Sequence, residues 1–223
     1  MFRLLFAVPK STPKPILRSD LGHLTVKEKV HIKKLTFIHH LKNLQPETLG
    51  AEMYTIQVNN GLPGLVAECK ELLKLYHLPD ILDQNFNVSK TLWKKTVMKA
   101  VENKSQNILR KEFMTFTKLK NLEMNTTDKF KAEDYVNDMS LRNARTFFRV
   151  RSHMIDVKMN QKSNKTYASE LWKCDYCFSL DSQSHIMWCP AFSSLREGKN
   201  LHNDLDLVAY FQDVMKIRTT VSA

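Results

Sequence analysis

Lys173-Cys-Asp-Tyr-Cys-Phe-Ser-Leu-Asp-Ser-Gln-Ser-His185-Ile-Met-Trp-Cys189 gathers three of the chain's four cysteines within sixteen residues, with one histidine between them. Two thiolates separated by two residues can grip one face of a metal ion, because the intervening turn points both sulfurs the same way. A histidine and a cysteine about a dozen residues on complete a tetrahedron. Cys174, Cys177, His185 and Cys189 thus have the ligand count and the Cys3His chemistry of a closed structural Zn2+ site. With four protein ligands no vertex is left for water, so such a metal holds shape and does not catalyse. A redox role for Cys-x-x-Cys requires a strand-turn-helix setting, which Trp172-Lys173 and the polar loop after it do not supply.

Outward from that stretch, composition sets the bounds. The 223 residues are 43% hydrophobic, enough for one domain or a domain plus a small module. Five glycines and seven prolines argue against a turn-rich β sandwich. Lys, Leu, Met, Glu and Ala on a 3.6-residue period argue for helices. The net charge of +11 is uneven: +3 over 1–89, +10 over 90–165 and −2 over 166–223. A basic block directly before a metal site points to a polyanionic partner, against the plainer reading of a solvated lysine-rich face. No run of eighteen apolar residues is present, so no membrane partner is expected. Met1–Val8 has too short an apolar run, followed by Pro9-Lys10, to read as a secretion signal. With its free thiols the chain is expected in the nucleus or cytoplasm and not secreted.

Ser140 caps the helix nearest the metal stretch on its amino side. At about 100° per residue, Arg142, Arg145, Arg149 and His153 form one narrow stripe. Leu141, Ala144, Phe147, Phe148, Met154 and Ile155 lie opposite. Guanidiniums facing out from a rigid, packed helix suit phosphate contact. Arg151 projects toward the apolar side, where it snorkels, pairs with a carboxylate such as Asp134 or Asp138, or marks the helix end. Lys158 follows as a further candidate contact. Beyond Cys189, Pro190 opens a short helix through Leu195 and Arg196, stopped by Gly198. Asn203-Asp204 caps a terminal helix with Leu205, Val208, Phe211, Val214 and Met215 inward.

Towards the amino end, residues 9–23 hold Pro9, Pro13 and Pro15, the mark of an extended connector. Thr25-Val-Lys-Glu28 reads as a capping box opening a helix with Val30, Leu35, Ile38 and Leu41 inward, closed by Pro46. His39 and His40 point about 100° apart on it and make a poor chelate, one packed and the other exposed. Further helices are expected over Leu49–Val58 and from Pro63, with Cys69 a small buried hydrophobe. Ser89 caps a long basic segment carrying Trp93, Val97 and Val101, continuous or broken near Ser105. A loop rich in Asn and Thr is expected around 125–128.

In order, Val8-Pro-Lys-Ser-Thr-Pro13, Leu17-Arg-Ser-Asp-Leu-Gly22, Lys34-Leu-Thr-Phe-Ile-His39 and Leu62-Pro-Gly-Leu65 resemble the stretch that follows the polymerase in non-LTR (LINE-type) retrotransposon reverse transcriptases. So do Arg145-Thr-Phe-Phe-Arg149, the Cys-Cys-His-Cys cluster with Asp181-Ser-Gln-Ser-His185, and Asp204-Leu-Asp-Leu-Val-Ala-Tyr-Phe211. The resemblance spans almost the whole chain. It implies a helical thumb-and-linker leading into a zinc knuckle that grips RNA or target DNA, with a reverse transcriptase core as a possible partner. The paired aspartates of a Tyr-x-Asp-Asp turn, which would hold two magnesium ions, are missing. The chain is therefore expected to have no polymerase activity of its own.

These readings give a mainly α fold: a helical domain followed by a small Cys3His zinc-binding module and a terminal helix. The expected divisions are an extended connector over 1–23, a basic helical domain over 24–165, and the zinc-knuckle module with its helix over 166–223. The expected function is non-enzymatic binding of RNA or DNA through Arg142, Arg145, Arg149, Arg151 and Lys158. One alternative is a helical module that docks on a polymerase or another chain. The other is a magnesium-dependent nuclease, for which Pro79-Asp80 and Glu102-Asn-Lys104 match a loose motif whose carboxylates ordinarily sit on adjacent strands. The 34 residues after Cys189 are too few for the endonuclease domain that some similar reverse transcriptases carry there.

Overall fold

The computed structural model describes residues 6–8, 12–83, 86–116, 130–160 and 172–221. The expected loop at 125–128, Pro9 of the connector, Met1 to Leu5 and the expected boundary at 165/166 lie outside them. The fold is mainly α-helical, and the only β-type pairing among the described residues is one antiparallel bridge between Lys173 and Leu180. The chain divides into two compact units.

The first, the helical unit, runs from Gly22 to Glu112 and takes in Phe130 and Lys131. It holds α2 (Val26–Lys42), α3 (Leu49–Asn60), α4 (Leu65–Leu75) and most of α5 (Lys90–Thr115). The capping box is present. Thr25 Oγ1 accepts from the Glu28 amide, and the Glu28 carboxylate accepts from the Thr25 amide at 2.6 Å. Two of the first-turn amides that a helix leaves unpaired are thereby satisfied. The core is Leu35 and Ile38 of α2, Val66, Cys69 and Leu73 of α4, and Trp93 and Val97 of α5. The indole of Trp93 donates to the Leu35 carbonyl at 2.8 Å, so the largest buried side chain also spends its one polar group. Val30, expected inward, is exposed.

His39 is buried, stacks on Trp93 and bonds the Val88 carbonyl at 2.9 Å, while His40 is exposed. The pair is therefore structural on one side and solvated on the other. Burial pushes the Cys69 thiol up to about 11, which leaves it an unreactive core group. α5 runs without a break through Ser105. Gly61 ends α3 in the left-handed conformation (φ 60°) that a side chain would strain.

The second, called the metal-bearing unit for its candidate metal ligands, joins the described residues up to Leu21 with Phe113–Phe116 and those from 132 to 221. It contains α1 (Lys14–Asp20), α6 (Asp134–Asp138), α7 (Leu141–Arg151), α8 (Gln183–Trp188), α9 (Ser193–Arg196) and α10 (Asp204–Val221). Two expectations are corrected here. Residues 14–20 are helical and not extended, with Pro15 in the first turn, where its missing N–H costs nothing. Ile16, Leu17 and Asp20 of that helix are buried. In addition, the arginine helix belongs with the metal module and not with the preceding helices, because α7 packs along α10.

Candidate metal centre and basic helix

The candidate metal loop is built by backbone geometry alone. The Phe178 amide donates to the Cys174 carbonyl at 2.9 Å and the Cys174 amide to the Ser179 carbonyl at 2.7 Å, which folds Cys-x-x-Cys into a tight knuckle. Ser182 caps α8 by accepting from the His185 amide, so His185 stands in the first helical turn facing that knuckle. Cys189 follows at the end of the helix. The four ligand atoms all lie within 4.8 Å of one another. The Cys177 and Cys189 sulfurs are 3.6 Å apart, and Cys177 Sγ is 3.1 Å from His185 Nε2. Zinc–sulfur bonds of about 2.3 Å at tetrahedral angles require sulfurs roughly 3.8 Å apart, so the donor set fits a tetrahedral ion. Cys174, Cys177, His185 and Cys189 thus form a group that could hold a metal, the only such group of three or more His, Cys, Asp or Glu among the described residues.

Burial pushes the Cys189 thiol up to about 11. Cys177 is drawn down: desolvation opposes this, but hydrogen bonding with Ser179 and the neighbouring thiols prevails. A bound cation deprotonates such thiols outright.

The surrounding groups tie the loop to the rest of its unit. Asp181, wholly buried, takes a two-pronged ion pair from Arg218 of α10 at 2.9 and 2.7 Å and accepts from the Lys158 amide at 2.7 Å. Arg196 donates to the Cys189 carbonyl at 2.9 Å, and the Tyr210 hydroxyl to the Ile186 carbonyl at 2.5 Å. Cys174 and Cys189 are part of the core that Ile186, Phe192, Tyr210 and Phe211 complete. The Asp181–Arg218 pair has no spacing signature, and only its acidic and basic composition is visible in the sequence.

Two aromatic side chains beside the ligands face outward: Phe178 is 73% and Trp188 74% exposed. Phe178 also has φ 60°, a left-handed conformation that bulky residues rarely adopt.

On α7, Ser140 caps as expected, its hydroxyl accepting from the Asn143 amide. Arg142, Arg145 and Arg149 share one side and, with Leu141, Thr146 and Ala7, line a depression of about 460 Å³. Ala144 and Phe148 are buried, and Phe6 stacks on Phe148 at 4.2 Å. The Gln212 amide of α10 donates to Asn143 and Thr146, bracing α7. Arg149 also donates to the Ala7 carbonyl.

Other expectations for this helix do not hold. Leu141 is 51% exposed, since the first turn overhangs the core. The helix ends at Arg151, and His153 leaves its line through a positive φ of 54°. Arg151 does mark that end, but it pairs with Asp20 at 3.4 Å and Glu133 at 3.3 Å instead of Asp134 or Asp138. Lys158 lies in a short 3-10 turn with its ammonium paired to Asp175. Arg151 and Lys158 are thereby taken out of the candidate phosphate face. Asp80 is exposed with its carboxylate accepting from the Leu82 amide, and Glu102 is on α5, so the loose nuclease motif gains no paired strands. No helix among the described residues is long and apolar enough to cross a membrane. No family model matches the chain, and neither a curated protein nor a solved structure matches it.

Proposed function

We propose that the protein is a non-enzymatic nucleic-acid-binding fragment, similar in kind to the post-polymerase region of a non-LTR retrotransposon reverse transcriptase. In this reading a structural Zn2+ at Cys174, Cys177, His185 and Cys189 holds the loop between α7 and α10 in shape. Arg142, Arg145 and Arg149 contact phosphates of RNA or DNA. The observation that carries the reading is the convergence of these three guanidiniums on one depression of a helix braced by α10. Guanidiniums on a rigid support lose little entropy on meeting a phosphate and offer it paired N–H donors. Phosphate contacts of this kind give affinity without base preference.

Binding measured against salt, on a single-stranded RNA and on a DNA duplex, tests it. Each phosphate contact contributes a log-log slope of roughly −0.9 on duplex and −0.7 on single strands. Replacing Arg142, Arg145 and Arg149 by Ala should flatten the slope by about 2 to 3. An unchanged slope would remove α7 as the nucleic-acid face. A second reading, docking on a polymerase or another chain, draws on exposed Phe178 and Trp188 in a segment whose charge is close to neutral. It requires that Phe178→Ala and Trp188→Ala abolish the protein partner's binding and leave the salt slope intact.

A further inference from the structure

The helical unit carries a basic surface of its own, distinct from the metal ligands and the arginine stripe. Trp93, Val97 and Val101 of α5 turn into the core. That fixes the outward side of the helix, where Lys94, Lys95, Met98 and Lys99 line a depression of about 700 Å³ completed by Phe130 and Lys131. Lys95 and Lys99 also border a second depression, of about 390 Å³, with Leu78, Pro79 and Leu92 on its wall. The two lysines, one helical turn apart, form a ridge between two part-apolar hollows. Lys94, Lys95 and Lys99 make no ion pair with any described residue. Leu92 and Met98 are exposed. The one acid on the rim, Glu102, has its carboxyl pushed up by burial, which favours its neutral form.

A ligand that satisfies this surface must present anionic groups and flat apolar faces together. Single-stranded nucleic acid does, since its phosphates alternate with unstacked bases. A duplex offers the charge but keeps its base faces stacked inside. An anionic bilayer is flat and cannot enter hollows on both sides of a ridge. We infer that the outward side of α5 is a binding site for single-stranded RNA or DNA, with Lys94, Lys95 and Lys99 on phosphates and bases lodged against Met98 and Phe130.

The test uses the full chain in fluorescence anisotropy with a labelled twelve-nucleotide oligouridine, a duplex hairpin and, separately, sedimentation with phosphatidylserine vesicles. Lys94→Gln, Lys95→Gln and Lys99→Gln together should weaken the oligouridine complex at least tenfold and reduce its salt slope by about 2, at 0.7 per contact. Phe130→Ala should weaken the same complex at least about fivefold, the loss of one base stack, with the slope unchanged and duplex binding hardly affected. On the wild type, oligouridine should shield Lys94, Lys95 and Lys99 from amine acylation, which needs no variant to fold. Unshielded lysines, or a triple variant of unchanged helix content that binds with the same affinity and slope, would overturn the site. Lysine-dependent capture by vesicles without oligouridine binding would overturn it in favour of a lipid surface. Loss of the α7 arginines leaves these lysine effects in place, so the two surfaces fail separately.

Discussion

The two units solve the same problem, burying enough apolar surface to hold helices together, by different means. In the helical unit the core closes on its own side chains, with Trp93 at the centre and its indole N–H bonded to Leu35. In the metal-bearing unit two candidate ligand cysteines, Cys174 and Cys189, are core residues themselves, packed with Ile186, Phe192, Tyr210 and Phe211. The metal site there is not an appendage to a finished core. It is one of the core's walls, so the packing of α8, α9 and α10 runs through the cysteine sulfurs themselves.

The largest effect expected from that contrast is metal loss. Structural zinc brings an apparent binding energy of roughly 10–16 kcal/mol at neutral pH, which exceeds the whole stability of many domains. Native mass spectrometry should find one zinc ion per chain. A strong chelator, or Cys189→Ser, should abolish amide-exchange protection in α8 and α10 while α2, α4 and α5 keep theirs. Protection lost from both units together would erase the distinction, and protection kept in α10 would show the metal to be dispensable. The reciprocal experiment is Trp93→Ala, which should cost about 3–5 kcal/mol through the lost apolar contacts and the cavity left behind. Its midpoint shift should appear in the helical unit and leave zinc content at one per chain.

The sequence disclosed the second unit's chemistry better than its boundaries. Cysteine spacing marked the four side chains that gather into a group able to hold a metal, because such geometry is local and leaves a pattern within sixteen residues. Capping hydroxyls at Thr25, Ser89 and Ser140 marked helix starts for the same reason. What local pattern could not carry was long-range pairing. Asp20 meets Tyr135 and Arg151 across more than a hundred residues, so α1 reads as a proline-bearing connector until its partners are seen. The arginine stripe was legible as periodicity. That Arg151 and Lys158 are spent on carboxylates depends on tertiary neighbours that periodicity does not specify.

Asp181 sharpens the comparison at a smaller scale. Its carboxylate is fully buried and paired two-pronged with Arg218, which ties the last turns of α10 to the metal loop. Removing one partner of a buried pair leaves the other charge uncompensated, at a cost of about 3–5 kcal/mol. Asp181→Ala should therefore lower the midpoint of the metal-bearing unit and weaken zinc retention against a chelator. Exchanging both, as Asp181→Leu with Arg218→Met, should recover much of the stability, since the isolated charge is gone. If the double variant is no better than the single one, the pair does more than neutralise itself.

The smallest expected effect lies at Asp20, where the metal-bearing unit has bought a polar anchor inside its apolar interior. The carboxylate accepts from the Tyr135 hydroxyl at 2.7 Å and lies 3.4 Å from Arg151, yet its other oxygen has no hydrogen-bond partner among the described residues. Burial raises its pKa to about 6, prevailing over the attraction of Arg151 and the hydrogen bond from Tyr135. A carboxyl whose folded pKa exceeds its unfolded value binds its proton more tightly in the native state. Its contribution is thus fully present below about pH 4 and is lost as the pH rises through about 6. A shift of this size corresponds to roughly 2–3 kcal/mol across that window. Denaturant midpoints of the zinc-loaded chain, compared between wild type and Asp20→Asn at pH values from 5 to 7.5, isolate the term from other titrating groups. The difference should move in favour of the amide as the pH rises, because the amide stays neutral. A difference independent of pH would mean that Arg151 keeps Asp20 ionised throughout, and that charge pairing outweighs burial at this position.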